Sequence, residues 1–397
     1  IMTYSKVYIF VLLAVIAAFL AACSNIEPTI DDYDMYVMVH EIDEETQIPV
    51  AKIYKNKTLL FEGEHDKNIT YSNFEVENGH LYFLKATYDE ATRKYNRQMY
   101  KDFELFSPLI FPDNSISAPL LILGFLNEHY IYCHHEPNTS GYYYKYFSPE
   151  KITIWQFGQD DSEFCILDNP QELIKKFYIT GFYHDNKMGD NYFAGMVILP
   201  QTDINTETGQ HFDAYWKNTE EFIMPNNYYD TPNDFYRASE LVEGMTLHHN
   251  NPVFGGMGSY WYNGHRYYLQ NPEEIIRSIV SYQGSIYVLS AYTIIQESHE
   301  PEGFRRFEYY KNAYIYKDGK LIYENDEVRN PRDLHVINGD CYYSAVEMYD
   351  YYQPFAIWKN LEKITEYGEV RTEVNWADYS TCPNRREFTN HFYLVKK

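Results

Sequence analysis

The sequence is short of positive charge, of helical periodicity and of every common catalytic signature. It holds 33 Lys and Arg against 57 Asp and Glu, a formal net charge of −24. Nucleic-acid binding needs a basic face and is disfavoured, and so is peripheral attachment to anionic lipid. No G-x-S-x-G, P-loop or complete G-x-G-x-x-G occurs, so no nucleophile elbow or phosphate cradle is expected and no cofactor is implied. The five cysteines include no C-x-x-C pair, which excludes zinc-ribbon and thioredoxin-like readings. Helical patterning is confined to Asn169–Lys176 and Asn271–Arg277, where acid-rich or Pro-led openings predict a turn or two of helix.

What is present begins with an export leader. A weakly basic head, Met2 to Lys6, precedes 14 apolar residues from Val7 to Leu20, and small residues follow at Ala21 and Ala22. This is the three-part pattern of a cleaved signal peptide, and the run is short of the ~20 residues a spanning helix needs. Leu20-Ala21-Ala22-Cys23 resembles the lipobox of bacterial lipoproteins. The resemblance implies cleavage before Cys23 and attachment of diacylglycerol and further acyl chains such as palmitate to it. One chain binds membranes only marginally, whereas two or three anchor stably. The expected division is a signal peptide over 1–22, a tether over 23–33 and one folded domain over 34–397. Ser24 carries no inner-membrane retention signal, so the outer membrane is expected, with its face left open. Cys133, Cys165, Cys341 and Cys382 remain; oxidation in the envelope and burial as free thiols are both open.

The body is rich in aromatics, at 18%, with 43 Tyr, arranged as short β-prone runs broken by Asn-Gly, Asp-Gly or Lys-Asn. A repeat runs through them. Its clearest copy is Ala313-Tyr-Ile-Tyr-Lys-Asp-Gly-Lys-Leu-Ile-Tyr323, in which Asp318-Gly319 predicts a tight type I′ hairpin. The same frame recurs around Tyr54, Tyr100, Trp216, Trp261 and Trp358, and a degenerate copy is read at Tyr144–Ser148 around Tyr146. Successive gaps are 46, 46, 70, 45, 55 and 42 residues, a spacing suited to propeller blades of four strands each. A second element precedes most copies, as in Val76-Glu-Asn-Gly-His-Leu-Tyr82, Val280–Tyr287 and Val336–Tyr342. One unit therefore reads strand, Gly turn, strand, longer loop, strand, tight turn, strand. Copy one lacks its opening strand, and the tail Phe388–Val395 reads as the missing piece. The expectation is an all-β propeller of four-stranded blades, seven favoured over six, closed by strands from both chain ends. The repeats resemble those of lipoproteins from the Bacteroides group, in degenerate form over nearly the whole mature chain; the resemblance implies architecture rather than activity. The recurring Gly-Gly doublet of kelch blades is missing, since Gly255-Gly256 is the one such pair.

Several constellations bear on chemistry. His134-His135 and His248-His249 are adjacent pairs, and neighbours on a strand face opposite ways, so exposed strand-end histidines are expected rather than a metal site. The loop His184–Asn191 offers Asp185, Asn186, Asp190 and Asn191, oxygen ligands that calcium accepts, but Lys187 intrudes and a plain polar turn is expected. Asn226-Asn-Tyr-Tyr-Asp230 combines amides with flat aromatic faces. With the polar stretch Leu199–Phe212, placed inside the 70-residue gap, it suggests a binding rim in which Tyr228 and Tyr229 stack on a ligand; a packed irregular loop is the alternative. No catalytic or metal residue is assigned. The expected role is a lipid-anchored, non-catalytic binding or scaffold module for a glycan, peptide or partner protein. A polysaccharide-active enzyme on the same scaffold is the second reading.

Overall fold

A computed structural model describes residues 29–43, 45–46, 48–92, 94–107, 120–134, 151–158, 161–168, 176–199, 210–223, 245–256, 258–300, 303–347, 352–371, 374–375 and 391–397. Apart from one 3-10 turn at Ile30–Asp32, the regular elements among them are all strands. The first sheet takes β1 (Tyr33–Ile42), β2 (Pro49–Lys55) and β3 (Thr58–Glu62), with β28 (His391–Lys396) beside β1. Four further four-stranded antiparallel meanders follow. They are β4–β7 (Ile69–Glu77, His80–Asp89, Lys94–Lys101, Glu104–Leu105) and β8–β11 (Leu120–Leu126, His129–His134, Lys151–Phe157, Asp161–Asp168). Then come β12–β15 (Lys176–Asp185, Asp190–Leu199, Gln210–Lys217, Glu220–Ile223) and β16–β19 (Met245–His248, Asn251–Gly255, Ser259–Tyr262, His265–Tyr268). The last sheet has eight strands. Its β20 (Glu274–Tyr282), β21 (Ser285–Glu300), β22 (Gly303–Lys317) and β23 (Lys320–Ile337) form one meander. The second half of β23 leads another, with β24 (Asp340–Glu347), β25 (Tyr352–Lys359) and β26 (Glu362–Arg371), while the short β27 (Val374–Asn375) pairs with β22.

The turn chemistry predicted from sequence is what links these strands. Asn78-Gly79, Gln283-Gly284, Asn338-Gly339 and Asp318-Gly319 all have positive φ at both residues, as two-residue hairpins of the primed type require. The repeated Lys-Asn/Asp has a further reason. Asn56, Asp102, Asn218, Asp318 and Asn360 each end a third strand with φ between 46° and 54°. From there each donates its backbone N–H to a carbonyl on the second strand, at Met35, Leu81, Asn191, Ile286 and Cys341. Its side-chain oxygen accepts the N–H of that same residue at 2.8–3.0 Å. The Lys before it lies over a second-strand Tyr ring, as in Lys55–Tyr36, Lys101–Tyr82, Lys217–Tyr192, Lys317–Tyr287 and Lys359–Tyr342, at 5.2–5.9 Å. Each contact is worth about 0.5–1 kcal/mol at an exposed site.

The registers relocate one copy of the repeat. Tyr192 and Phe193, two and three residues beyond the first rung of their hairpin, lie opposite Lys217 and Trp216; counted in the same way from His129, the rungs in β10 are Gln156 with Ile131 and Trp155 with Tyr132. The third copy therefore ends at Trp155-Gln156-Phe157-Gly158, and Tyr144–Ser148 lies outside the described residues. Trp155 is 55 residues after Tyr100 and 61 before Trp216, so the 70-residue gap disappears as an anomaly. The copy does not show in the sequence because Gln and Phe occupy its Lys and Asn slots. A second correction concerns Asn271–Arg277, read as helix. It is a turn followed from Glu274 by β20, where Ser290 and Tyr316 hydrogen-bond the buried Glu274 carboxylate.

Apolar clusters lie between consecutive sheets. Met38, Ile53, Phe74 and Phe83 join the first meander to the second; Tyr82, Leu84, Tyr130 and Phe157 join the second to the third. Ile131, Ile154, Phe193 and Trp216 join the next pair. Val253, Ile276, Val288 and Tyr316 join the fifth sheet to the long one. Leu289, Ile315, Val336 and Tyr343 fill the seam inside the long sheet. Val37, Val39, Phe355, Ile357 and Phe392 pack its far end against the first sheet. Burying each such side chain fully stabilises by roughly 1.5–3 kcal/mol.

Candidate functional site

The leading strand of most meanders carries a bulge: β4 at Ser72/Glu75, β8 at Ile122/Gly124, β12 at Ile179/Gly181, β20 at Ile276/Ser278 and β23 at Arg332/His335. An extra residue bends the strand and re-aims side chains. In β4 and β23 the bulge holds Asn73 at φ 52° and Asp333 at φ 53°, values that Asn and Asp tolerate better than most residues.

These two bulges flank β28 and gather a polar cluster. Asp333 Oδ2 accepts the Phe392 N–H at 3.0 Å and the Ser344 hydroxyl at 3.2 Å, and Oδ1 lies 3.9 Å from His391 Nδ1. His335 Nε2 is 3.2 Å from the Phe392 carbonyl. From the other side, the Tyr393 hydroxyl donates to Glu75 Oε2 at 3.0 Å, and the Tyr130 hydroxyl donates to the Asn73 carbonyl at 2.5 Å. β28 is thus held between an acid of β23 and an acid of β4.

The cluster is deep yet reachable. Burial dominates its electrostatics, but the side chains of Asp333 and His391 keep 22% and 20% of their surface accessible, and Glu75 and Tyr393 are only half-buried. Burial pushes the Glu75 carboxyl up to about 7, with the negative charges of Asp333 and Glu77 adding and His391 and Tyr393 opposing. Burial also acts upward on Asp333, but the nearby imidazole of His391, with Arg332 and His335, outweighs it and holds that carboxyl below its ordinary range. Burial lowers the His335 imidazole and lifts the Tyr393 and Tyr130 phenols well above theirs. Carboxyl, imidazole and phenol groups are therefore gathered around β28, with one carboxyl changing charge near neutrality.

The sequence-based candidates fall elsewhere. Cys23, Tyr228, Tyr229 and Cys382 lie outside the described residues. Leu199 and Gln210 form a rung of the hairpin β13–β14, and Ile223 pairs with Ala214, so Leu199, Gln210 and Ile223 stand at the same end of one sheet. His248 is buried, not exposed, because its Nδ1 lies 2.9 Å from Ser281 Oγ in the next sheet; burial, with His249 beside it, lowers its pKa. In the acidic loop, Asp185 accepts the Lys187 N–H, Asp190 pairs with Lys217 and Asn191 Oδ1 faces His184. Those oxygens are spent on protein partners. Among the described residues no group of three or more His, Cys, Asp or Glu is arranged to hold a metal ion. Cys165 and Cys341 are free thiols, pushed by burial up to about 12 and so unreactive. Sequence reasoning missed Glu75, Asp333 and His391 because nothing in Asn73-Phe-Glu75 or Arg332-Asp-Leu-His335 marks a bulge.

No protein-family model and no curated protein matches this chain. Among solved structures, it is similar to the dihydro-heme d1 dehydrogenase NirN, at 7% identity and TM-score 0.38, over 88% of this chain and 75% of that one. It is similar to an acylaminoacyl peptidase of Pyrococcus horikoshii, at 12% identity and TM-score 0.38, over 76% of this chain and 47% of the peptidase. A third is the plexin A4 extracellular region, at 8% identity and TM-score 0.35, over 83% and 46%. The chain spans about half the length of the latter two. The fold assignment rests on the strand registers: the chain is an all-β protein of serially repeated four-stranded antiparallel meanders.

Proposed function

We propose that this chain is a β-propeller of seven blades, closed into a ring and tethered by lipid on Cys23 to the outer membrane, that binds a glycan, peptide or partner protein without transforming it. The blade number rests on five separate four-stranded sheets plus the two meanders sharing β23. Closure rests on the pairing of β28 with β1, from Tyr33 with Lys396 to Met38 with His391, and on the apolar cluster between the first and last meanders. In a ring the leading strands face a common channel, and propellers host both binders and enzymes.

One observation carries the binding reading: the half-accessible cluster of Glu75, Asp333, His391 and Tyr393 where leading strands converge. Polar groups in so crowded a place destabilise unless they are hydrogen-bonded, and here their partners are one another and the closing strand. Asp333 Oδ2 is already committed to Phe392 and Ser344, an arrangement that holds a surface rather than frees a nucleophile. Alternating donors and acceptors suit a ligand rich in hydroxyls or amides. The enzymatic reading draws on Glu75, since a carboxyl that keeps its proton near neutrality can act as a general acid.

The test is calorimetric titration of the purified full chain with a panel of oligosaccharides and peptides, with product formation followed in the same samples. Heat of binding without product supports the binder. Turnover abolished by Glu75→Gln moves the assignment to the enzyme. Neither binding nor turnover across both panels defeats a small-ligand role.

A further inference from the structure

Each meander carries its tight turns at one end. In the second sheet, Asn78-Gly79 joins β4 to β5 and Asp102-Phe103 joins β6 to β7, and the Asp102 N–H reaches back to the Leu81 carbonyl beside the first turn. Neighbouring sheets set these ends side by side. The Glu77 carboxylate, closing β4, accepts the N–H groups of Asn127 and Glu128 in the next sheet's first turn at 3.0 and 2.9 Å. The Asn338 N–H reaches the Tyr282 hydroxyl, at the end of β20, at 2.9 Å. In the first sheet Lys397, next after β28, takes the place of that turn: its N–H reaches the Asp32 carbonyl at 2.9 Å and its Nζ the Asp31 carbonyl at 2.6 Å. The segment leading into β1 therefore enters the body at this turn end.

Cys23 precedes Thr29, the first described residue, by six residues. An extended chain covers at most about 3.3–3.6 Å per residue, so the link reaches about 20 Å. β1 is ten residues long and spans about 30 Å. A lipid on Cys23 thus holds the turn end near the bilayer and falls short of the far end of the sheet.

The turn end also has the side chains for that position. Among the described residues, Met188 and Leu361 stand in its turns, in the fourth sheet and the last, with 61% and 52% of their surface exposed. Leu59, Leu60 and Leu105 closely follow its turns and are exposed as well. Apolar side chains presented in this way are stabilised at the boundary of headgroups and acyl chains. Acids at this end are matched by third-strand lysines: Asp34–Lys55, Asp190–Lys217 and Asp340–Lys359 lie 2.7–2.8 Å apart and Glu128–Lys101 2.6 Å. Lys57, Lys187 and Lys320 add positive charge in or beside the turns. These groups temper the repulsion that a net charge of −24 meets at an anionic lipid surface.

We infer that the turn end rests on the bilayer that carries the anchor, and that the far end, where Leu199 and Gln210 pair beside the proposed rim, faces away from it. This rests on the lipid attachment proposed for Cys23.

The test places a fluorescent amino acid at Met188, Leu361, Leu60 or Ala91, the last in the β5–β6 turn at the far end. The lipidated full chain is bound to vesicles of phosphatidylethanolamine and phosphatidylglycerol that carry a headgroup-attached quencher. Quenching at Met188 and Leu361 should exceed that at Ala91 several-fold. Stronger quenching at Ala91 than at Met188 overturns the orientation. Quenching at Leu60 with Met188 spared lays the body on its rim and overturns it too, as does equal quenching at all four positions, the mark of a body that swings freely. Flotation of the same vesicles reports the anchor separately. A chain that does not float defeats the Cys23 reading and this inference together, whereas one that floats with Ala91 quenched defeats this inference alone.

Discussion

Asn360 and Cys341 hold each other by two hydrogen bonds that cross from third strand to second: the Asn360 N–H reaches the Cys341 carbonyl at 2.7 Å, and the Cys341 N–H reaches Asn360 Oδ1 at 2.8 Å. Asn360 also donates through Nδ2 to Asp340 at 2.9 Å, and its φ of 54° is the conformation that glycine adopts without strain. Asn360→Gly keeps the turn and loses the side-chain bonds, so it should cost about 1–2 kcal/mol. Asn360→Ala should cost more, because alanine adds strain at positive φ. Thermal melts of the two variants beside the parent check the order; equal melting points for all three would show that the clamp adds nothing.

Glu75 should make stability depend on pH in one direction. Its folded pKa, about 7, lies above the ordinary carboxylate value because burial disfavours the charge. The stabilisation it gives is complete below the ordinary carboxylate range and is lost as pH rises through 7. Glu75→Gln cannot ionise, so its melting temperature relative to the parent should climb between pH 5 and pH 8. Asp333 runs the opposite way. His391 holds its pKa down, so its stabilisation is present above the ordinary range, and the deficit of Asp333→Asn should close as pH falls below it. A flat difference curve for Glu75→Gln would mean the carboxyl is solvated.

The closing strand should be needed for a stable body. Removing residues 391–397 uncovers the edge of β1 and deletes Phe392, which is fully buried. The truncated chain should melt far below the parent and aggregate through the freed edge. Tyr393→Phe, which removes only the bond to Glu75, should cost about 1 kcal/mol. A truncated chain as stable as the parent would rule out closure by β28.

The proposed lipid anchor turns on one thiol. Cys23→Ala should abolish fatty-acid labelling and leave an uncleaved or soluble species, read by metabolic labelling and fractionation; unchanged labelling would rule out the anchor. Protease treatment of intact cells then reports which face of the outer membrane carries the body.

The proposed binding rim supplies the remaining prediction. Leu199, Gln210 and Ile223, which bound the segments 200–209 and 224–244, stand at one end of the sheet β12–β15. If Tyr228 and Tyr229 stack on the ligand, replacing both with Ala should weaken it tenfold or more, about 1.4 kcal/mol. Unchanged affinity in titration calorimetry would leave the channel cluster around Glu75 as the site.

By itself the sequence determined the repeat period, the positive-φ turns and the incomplete first copy. Each depends on residues near one another in the chain: Asn338-Gly339 or Asp318-Gly319 make their turns wherever they stand, and alternating apolar residues declare a strand without reference to its neighbours. Tertiary structure decided what depends on partners far along the chain. Trp155 became a frame position only through its rung with Tyr132, and Glu274 left a helical pattern for a strand because Ser290 and Tyr316, 16 and 42 residues away, satisfy its carboxylate. The polar cluster is the extreme case. Tyr393 and Glu75 stand 318 residues apart, and no local pattern encodes their contact, because burial and the sharing of hydrogen bonds are set by which strands the fold brings side by side.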